Sequence, residues 1–179
     1  LQILLREHDD WSGHPVAVVS ENASLGKVLE LNKAAISSGV RVGDTYAGAL
    51  SLCPTLRADV VPVNKSNEYL HEVCEALNRF SPAVEPSVFD PGIVWIDCKG
   101  LGRVFRSLGQ FTRGVAAAIR GIGFYAVVCV GFSRFGTYAL VRGHQNQITS
   151  SPEDESKMAG LVRLSSLGIA PHDLAALHK

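Results

Sequence analysis

The sequence lacks net charge and long apolar runs. Its 179 residues carry 17 basic and 17 acidic side chains, so the chain as a whole is not attracted to nucleic acid, although a local basic face could still exist. No apolar stretch reaches the length of a membrane span or has the layout of a signal peptide, which predicts a cytoplasmic protein. Its hydrophobic content of 46% is ample for a buried core.

The sequence also lacks the spacings that are typical of metal centres and disulfide frameworks. Its four cysteines are far apart and form no Cys-x-x-Cys pair: Cys53, Cys74, Cys98 and Cys129. This pattern favours buried, reduced thiols over disulfides or a zinc site. The six histidines show no His-x-x-x-His spacing, so we expect surface side chains there. The sequence predicts no bound cofactor.

A predicted β-hairpin at residues 84–97 organises the chain. Extended runs of β-branched and aromatic residues flank Asp90-Pro91-Gly92, where proline presets φ and glycine accepts a positive φ, so the chain should reverse. Amphipathic helix patterns at 66–80 and 107–120 flank the hairpin, and a strong strand follows at 125–131. This order is that of a split βαβ unit without its first strand. We expect the hairpin and residues 125–131 to share one sheet.

Smaller elements precede and follow this unit. A small α/β lobe comes first, with strands at 15–20 and 27–31 and short helices at 32–38 and 44–53. Asp44 should cap the second of these helices. A strand at 60–63 should lead back into the larger unit. After it, Ser133 can cap a helix that runs to about Arg142. Residues 144–151 have the composition of a linker, and Ser151-Pro152 opens a further helix.

Six short motifs in order resemble Y-family translesion DNA polymerases of the DinB/UmuC type. They are Gly13-x-Pro15-Val-Ala-Val, Gly39-Val40-Arg41-x-Gly43, Ala49-Leu50-x-Leu52-Cys53-Pro54, Phe80-Ser-Pro82-x-Val84-Glu85-Pro86, Trp95-Ile96-Asp97 and Val130-Gly131-Phe132-Ser133. The resemblance covers nearly the whole chain and implies an α+β fold. Residues 1–59 would be a small α/β fingers-like lobe, and 60–143 a ferredoxin-like split βαβ palm whose first strand is missing from the chain. Residues 144–179 would be a linker and the start of a helical thumb.

The chemistry of that family depends on carboxylates that this hairpin does not supply in the usual pattern. Nucleotidyl transfer needs clustered carboxylates that hold two Mg²⁺ ions, and active members carry Glu-Pro-x-Ser-x-Asp-Glu-x-x-x-Asp. The hairpin of this chain has two more residues than that pattern. Alignment on Glu85 therefore places the acidic pair on Asp90-Pro91, whereas alignment on Asp97 places it on Gly92-Ile93. Neither supplies the glutamate. We therefore predict no catalytic or metal-binding residue, with Asp90 in an exposed turn.

The residues that hold the nucleotide in active members are also replaced. A tyrosine and an arginine precede the glycine that matches Gly39 in those proteins, and here the positions hold Lys33 and Ile36. A lysine of the later helix matches Leu140. Each lost charge-assisted contact to phosphate is normally worth roughly 1.5–3 kcal/mol, so the resemblance implies a degenerate nucleotide pocket.

The sequence resembles the ImuB group, the degenerate Y-family members of bacterial mutagenesis cassettes, both in these departures from the active pattern and in its opening at residues 1–8. The similarity implies a non-catalytic adaptor that brings a DnaE-type error-prone polymerase, a RecA-like ImuA protein and the sliding clamp to damaged DNA. The alternative is an active translesion DNA polymerase whose carboxylates are misaligned. Arg134, Arg142 and His144 could contact a DNA backbone, and solvated helix charges explain them equally well.

A hydrolase is the remaining alternative. Gly131-Phe-Ser133-Arg-Phe-Gly136 is close to a nucleophile elbow, but its second glycine comes one residue late for Gly-x-Ser-x-Gly. Asp154 and His172 would have to complete the triad. We favour Ser133 as a helix cap.

Overall fold

The computed structural model describes residues 1–168. The chain forms two compact units, Leu1–Val73 and a second that begins at Cys74. The boundary between the units falls within the long helix α4, Val63–Asn78. The predicted division into fingers, palm and thumb segments at 59/60 and 143/144 remains a prediction.

The first unit is built on a three-stranded sheet. Its elements are α1 Gln2–Glu7, β1 Val16–Val19, β2 Val28–Leu31, α2 Lys33–Ser37, α3 Tyr46–Leu52 and β3 Arg57–Asp59. The central strand β1 pairs antiparallel with β2 and parallel with β3, and all four of its residues are buried. Its core combines small and β-branched side chains: Ala17, Val19, Val28, Ala35, Val40, Ala49, Cys53 and Leu56. The strands predicted at 15–20 and 27–31 are confirmed as β1 and β2.

Local capping explains where the helices of this unit begin. The Asn32 side chain accepts a hydrogen bond from Ala35 N–H at 3.0 Å and starts α2, as predicted. The predicted cap of α3, Asp44, is wrong. Thr45 caps that helix by accepting from Gly48 N–H at 3.2 Å, because the Asp44 carboxylate turns back to accept from Arg41 N–H at 2.8 Å. The strand predicted at 60–63 is also misplaced, since β3 lies at 57–59 and α4 begins at Val63.

The second unit combines helices with short strand pairs. Its elements are the end of α4 Val63–Asn78, then β4 Val84–Pro86, β5 Val94–Ile96, α5 Leu108–Gly121, β6 Cys129–Val130, α6 Arg134–Arg142, β7 Gln147–Ile148 and α7 Pro152–Ala159. Strands β4 and β5 pair antiparallel, with Glu85 opposite Trp95. The hairpin, its turn and helix α5 are confirmed. Ser107 caps α5, since its hydroxyl accepts from Gln110 N–H at 3.1 Å.

The core of the second unit gathers around α5. The helix buries one apolar face made by Phe111, Val115, Ala118 and Ile119. Phe105 meets Phe111 edge to face with ring centroids 5.3 Å apart, a favourable geometry for aromatic pairs. Apolar side chains of α4 and α6 are buried as well: Leu77, Ala139 and Leu140.

The prediction that the hairpin and residues 125–131 share one sheet is wrong. Only Cys129 and Val130 form a strand, and β6 pairs in parallel with β7 at Gln147–Ile148, inside the predicted linker. In a split βαβ unit the first strand lies between the hairpin and the last strand, and the described residues contain no strand in that place. Strand β6 therefore finds its hydrogen bonds on the segment that follows α6.

The prediction of buried, reduced cysteines is met in part. All four cysteines are free, but only Cys53 is buried, and the other three are half-buried. Burial raises the pKa of the Cys74, Cys98 and Cys129 thiols, which lowers their reactivity. No helix within residues 1–168 is long and apolar enough to cross a membrane.

Candidate nucleic-acid interface and degenerate metal site

The candidate site lies where the β4–β5 hairpin meets helix α6. The resemblance implies degenerate metal-ligand positions at residues 90–93 of the hairpin turn, and the charges at Arg134, Arg142 and His144 were predicted as possible DNA contacts. The turn is as predicted: Ile93 N–H donates to the Asp90 carbonyl at 3.1 Å, and Gly92 has a φ of 97°, which glycine adopts without strain. The geometry of the turn thus follows from Asp90-Pro91-Gly92 alone.

The environment of Asp90 differs from the prediction. Its side chain is 26% exposed and lies against α6, where its Oδ2 atom accepts a hydrogen bond from the Tyr138 hydroxyl at 2.9 Å. The Arg142 guanidinium lies 3.4 Å from the same oxygen. The prediction that Asp90 is exposed is therefore wrong: Asp90 is half-buried because two side chains one turn apart on α6 reach it.

The positions next to Asp90 supply no second carboxylate. Pro91 and Gly92 are exposed and Ile93 is half-buried, so neither alignment places an acidic pair on the hairpin. Within residues 1–168, no three His, Cys, Asp or Glu side chains come together in a way that could hold a metal ion. The Asp90 charge is instead compensated by Arg142.

Arg134 joins α6 to the two hairpin strands. Its guanidinium forms a two-point ion pair with Glu85, with Nη1 to Oε1 at 3.0 Å, and lies over the Trp95 ring with Cζ 5.2 Å from the centroid. The hydrogen bond from Arg134 lowers the pKa of Glu85. Glu85 and Trp95 are direct cross-strand partners, so the hairpin presents an acid and an aromatic ring to one arginine.

Arg142 and His144 lie at the end of α6. Arg142 donates from Nε to the Ser166 carbonyl at 2.7 Å in addition to its ion pair with Asp90. His144 is exposed and has a φ of 57°, a left-handed conformation that is uncommon outside glycine. Of the three predicted DNA-contacting residues, the two arginines therefore already have carboxylate partners, and His144 is open to solvent.

The opposite end of α6 holds a carboxylate that the sequence did not single out. Glu155 of α7 is 3% exposed, and it accepts from Phe132 N–H at 3.1 Å and Ser133 N–H at 3.0 Å. The Ser133 hydroxyl also donates to it at 3.1 Å, and the Thr137 hydroxyl is 3.0 Å away. Burial alone would raise the pKa of Glu155, but the hydrogen bonds from Ser133, Thr137 and Phe132 outweigh burial and lower it.

Two glycines make room for this carboxylate. A Cβ atom at Gly131 would lie 2.3 Å from the Glu155 Oε1 atom, and one at Gly136 would lie 2.5 Å from its Cδ atom. The sequence pattern predicted a helix that opens at Ser151-Pro152 and did not single out Glu155 on it. The glycines on either side of Ser133 were the available signal, because they allow a close approach.

Ser133 is a helix cap and not a nucleophile. Its hydroxyl accepts from Gly136 N–H at 3.1 Å and donates to Glu155, so both of its hydrogen-bonding functions are structural. His172 of the proposed triad lies outside the described residues. The cap prediction is confirmed.

The predicted nucleotide-pocket positions have different surroundings. Lys33 is exposed, and Ile36 is 57% exposed, on the short helix α2 of the first unit. Leu140 is 3% exposed in the second unit. An apolar side chain at position 140 thus contributes to packing, where a lysine would place a charge in the core.

Comparison with known proteins identifies the family. The impB/mucB/samB family matches residues 1–139, and the chain therefore belongs to it. No curated protein matches the chain significantly. Among solved structures, an insertion ternary complex of Dbh DNA polymerase has a TM-score of 0.77 at 14% identity, with 99% of this chain covered. A post-insertion binary complex of Dbh has a TM-score of 0.75 at 15% identity and 98% coverage.

DinB from Sulfolobus solfataricus is also similar, with a TM-score of 0.54 and 16% identity over 68% of this chain. The chain covers 53% of both Dbh structures and 34% of DinB, so it spans about half or less of the length of these structures. These likenesses show the fold, which is the mixed α+β fold of Y-family DNA polymerases.

Proposed function

We propose that this chain belongs to a non-catalytic, Y-family polymerase-like adaptor of bacterial DNA damage tolerance and induced mutagenesis. The observation that carries the proposal is the ion pair between Asp90 and Arg142. A hairpin carboxylate that serves a Mg²⁺ ion must offer its oxygens to the cation together with a second carboxylate. In this chain the Oδ2 atom of Asp90 faces the guanidinium of Arg142 on α6, where a metal ligand would face Mg²⁺.

The adaptor acts by binding DNA and other proteins. Its partners, by resemblance to the ImuB group, are damaged or primed DNA, a DnaE-type error-prone polymerase, a RecA-like ImuA protein and the sliding clamp. The binary and ternary complexes of Dbh DNA polymerase named above support the DNA part of this proposal, because that DNA polymerase shares the fold. His144 and the α6 arginines are the proposed backbone contacts, and the arginines would exchange Glu85 and Asp90 for phosphate when they bind.

The second candidate is a template-directed DNA polymerase, which family membership and the solved neighbours favour. Primer extension by the full protein with Mg²⁺ or Mn²⁺ separates the two. We expect no extension above a reaction without protein. Extension that Asp90→Asn abolishes would overturn the adaptor proposal and make Asp90 a metal ligand.

A test in cells addresses the same point without purified protein. The Asp90→Asn variant keeps an acceptor in the turn and removes the charge, so an adaptor should retain damage-induced mutagenesis near the wild-type level. Loss of mutagenesis, with the variant protein present at wild-type abundance, would contradict the proposal.

A further inference from the structure

We propose that the cavity beside the hairpin turn binds an unpaired base of single-stranded DNA, which stacks on Phe89 and Trp95. The inference rests on the proposed function, because it names the DNA structure that the adaptor holds. The cavity has a volume of about 340 Å³ and is lined by Ser87, Phe89, Asp90, Trp95, Tyr138 and Arg142.

The first observation is the exposure of the hairpin tip. Phe89 is 97% exposed and its neighbour Val88 is 88% exposed. The face of an exposed aromatic ring can stack on another planar ring. Successive bases of single-stranded DNA stack on such rings regardless of sequence.

The second observation is that the tip is held in place. The Ser87 hydroxyl accepts from Asp90 N–H at 3.2 Å, and Ser87 N–H donates to the Ile93 carbonyl at 2.8 Å. Asp90 is fixed to Tyr138 and Arg142 of α6. Because Phe89 stands between two residues that are anchored in this way, little backbone freedom is lost when a base stacks on it.

The third observation is the chemistry of the cavity. Three aromatic rings line it, those of Phe89, Trp95 and Tyr138, together with a serine hydroxyl, a carboxylate and a guanidinium. An apolar platform with a few polar groups is typical of ligand sites. Tyr138 and Arg142 are both hydrogen-bonded to Asp90, and their remaining donors and acceptors can meet the edge of a base, which is free only when the base is unpaired.

The size of the cavity suits a single base. The cavity is half open to solvent, and its volume is near the lower end of the roughly 300–1,000 Å³ of ligand pockets. Arg134 lies over the Trp95 ring and is 64% exposed, so a cation that could meet the adjoining phosphate stands beside the platform.

Oligo(dT) binding by the full protein tests this inference, with binding measured by fluorescence anisotropy of a labelled strand. Phe89→Ala should weaken binding about tenfold, since stacking on one aromatic ring contributes roughly 1–3 kcal/mol per base. Val88→Ala is the matched control on the same turn and should change the dissociation constant less than about twofold. Both side chains are almost fully exposed, so both variants should fold.

Trp95 provides a second readout. Oligo(dT) should quench tryptophan fluorescence, and Trp95→Phe should reduce that quenching, leaving any contribution of Trp11, while it keeps an aromatic platform. Equal binding by the Phe89→Ala and Val88→Ala variants, quenching as large in Trp95→Phe as in the wild type, or absence of oligo(dT) binding would overturn the inference. So would tighter binding of thymidine triphosphate than of oligo(dT). Primer extension tests the proposed function separately, because its outcome does not depend on whether a base binds in this cavity.

Discussion

The two ends of helix α6 each hold a carboxylate from another element, and the two sites differ in how the charge is stabilised. At the N-terminal end, Glu155 is almost fully buried and is surrounded by backbone N–H groups and hydroxyls. Near the C-terminal end, Asp90 is half-buried and is paired with Arg142. The carboxylate at the N-terminal end of α6 is thus stabilised by hydrogen bonds alone, and the carboxylate near the C-terminal end is stabilised by a cation.

The helix dipole explains the difference. The N-terminal end of a helix carries partial positive charge and unpaired N–H groups, so a carboxylate is stabilised there without a cation. The C-terminal end carries partial negative charge, so a carboxylate needs a cation such as Arg142 nearby. The first site should therefore depend on hydrogen-bond geometry and the second on charge.

The largest expected effect is at the buried site. Glu155→Ala should lower the free energy of unfolding by about 3 kcal/mol, because it leaves the part-buried backbone donors of Phe132 and Ser133 without an acceptor. Urea unfolding measures the change. Glu153→Ala, an exposed acid of the same helix turn, is the matched control and should leave the unfolding midpoint near that of the wild type. Equal midpoints for the two variants would show that the hydrogen bonds accepted by Glu155 do not stabilise the fold.

Gly136→Ala should destabilise the protein by about 2 kcal/mol, through overpacking against the Glu155 side chain. Gly109→Ala provides the control, since it is also a glycine-to-alanine change in a helix. The nearest atom to its added Cβ would be 3.5 Å away, on the flexible Arg113 side chain, and the helix favours alanine. We expect Gly109→Ala to be neutral or stabilising in the same unfolding experiment.

Asp90→Asn should have a smaller effect, with a loss of about 1 kcal/mol, because the amide can still accept from Tyr138 while the ion pair with Arg142 is lost. The sequence alone predicted a change within roughly 0.5 kcal/mol for an exposed turn. A double-mutant cycle with Arg142→Met isolates the pair. A coupling energy of zero would show that the 3.4 Å contact contributes nothing.

The smallest effect is the acid dependence of the N-terminal site. The pKa of Glu155 is lower in the folded protein than its ordinary value of 4.5. Ionised Glu155 therefore stabilises the fold above about pH 4.5, and this contribution is lost as the pH falls through the folded-state pKa. The free energy of unfolding of Glu155→Gln should fall less steeply below pH 4.5 than that of the wild type. Parallel curves would show that Glu155 does not contribute.

Much of the local structure followed from the sequence. The Asp90-Pro91-Gly92 turn, the serine caps at Ser107 and Ser133, and the apolar face of α5 all depend on neighbours within a few residues. The proline and the glycine restrict or permit particular φ values, and a serine side chain reaches a backbone N–H three residues later. These features therefore needed no knowledge of the tertiary fold.

The partners of the site residues depended on the tertiary structure. Glu155 binds Ser133 across 22 residues, and Asp90 meets Tyr138 and Arg142 across 48 and 52 residues. The pairing of β6 with Gln147–Ile148 likewise depends on which strand edge lies nearby. No periodicity or cap in the sequence encodes such distances, because the packing of helices and hairpin brings the groups together. The sequence determined that the hairpin lacks its acidic pair, and the tertiary structure alone decided that the remaining Asp90 faces Arg142 of α6.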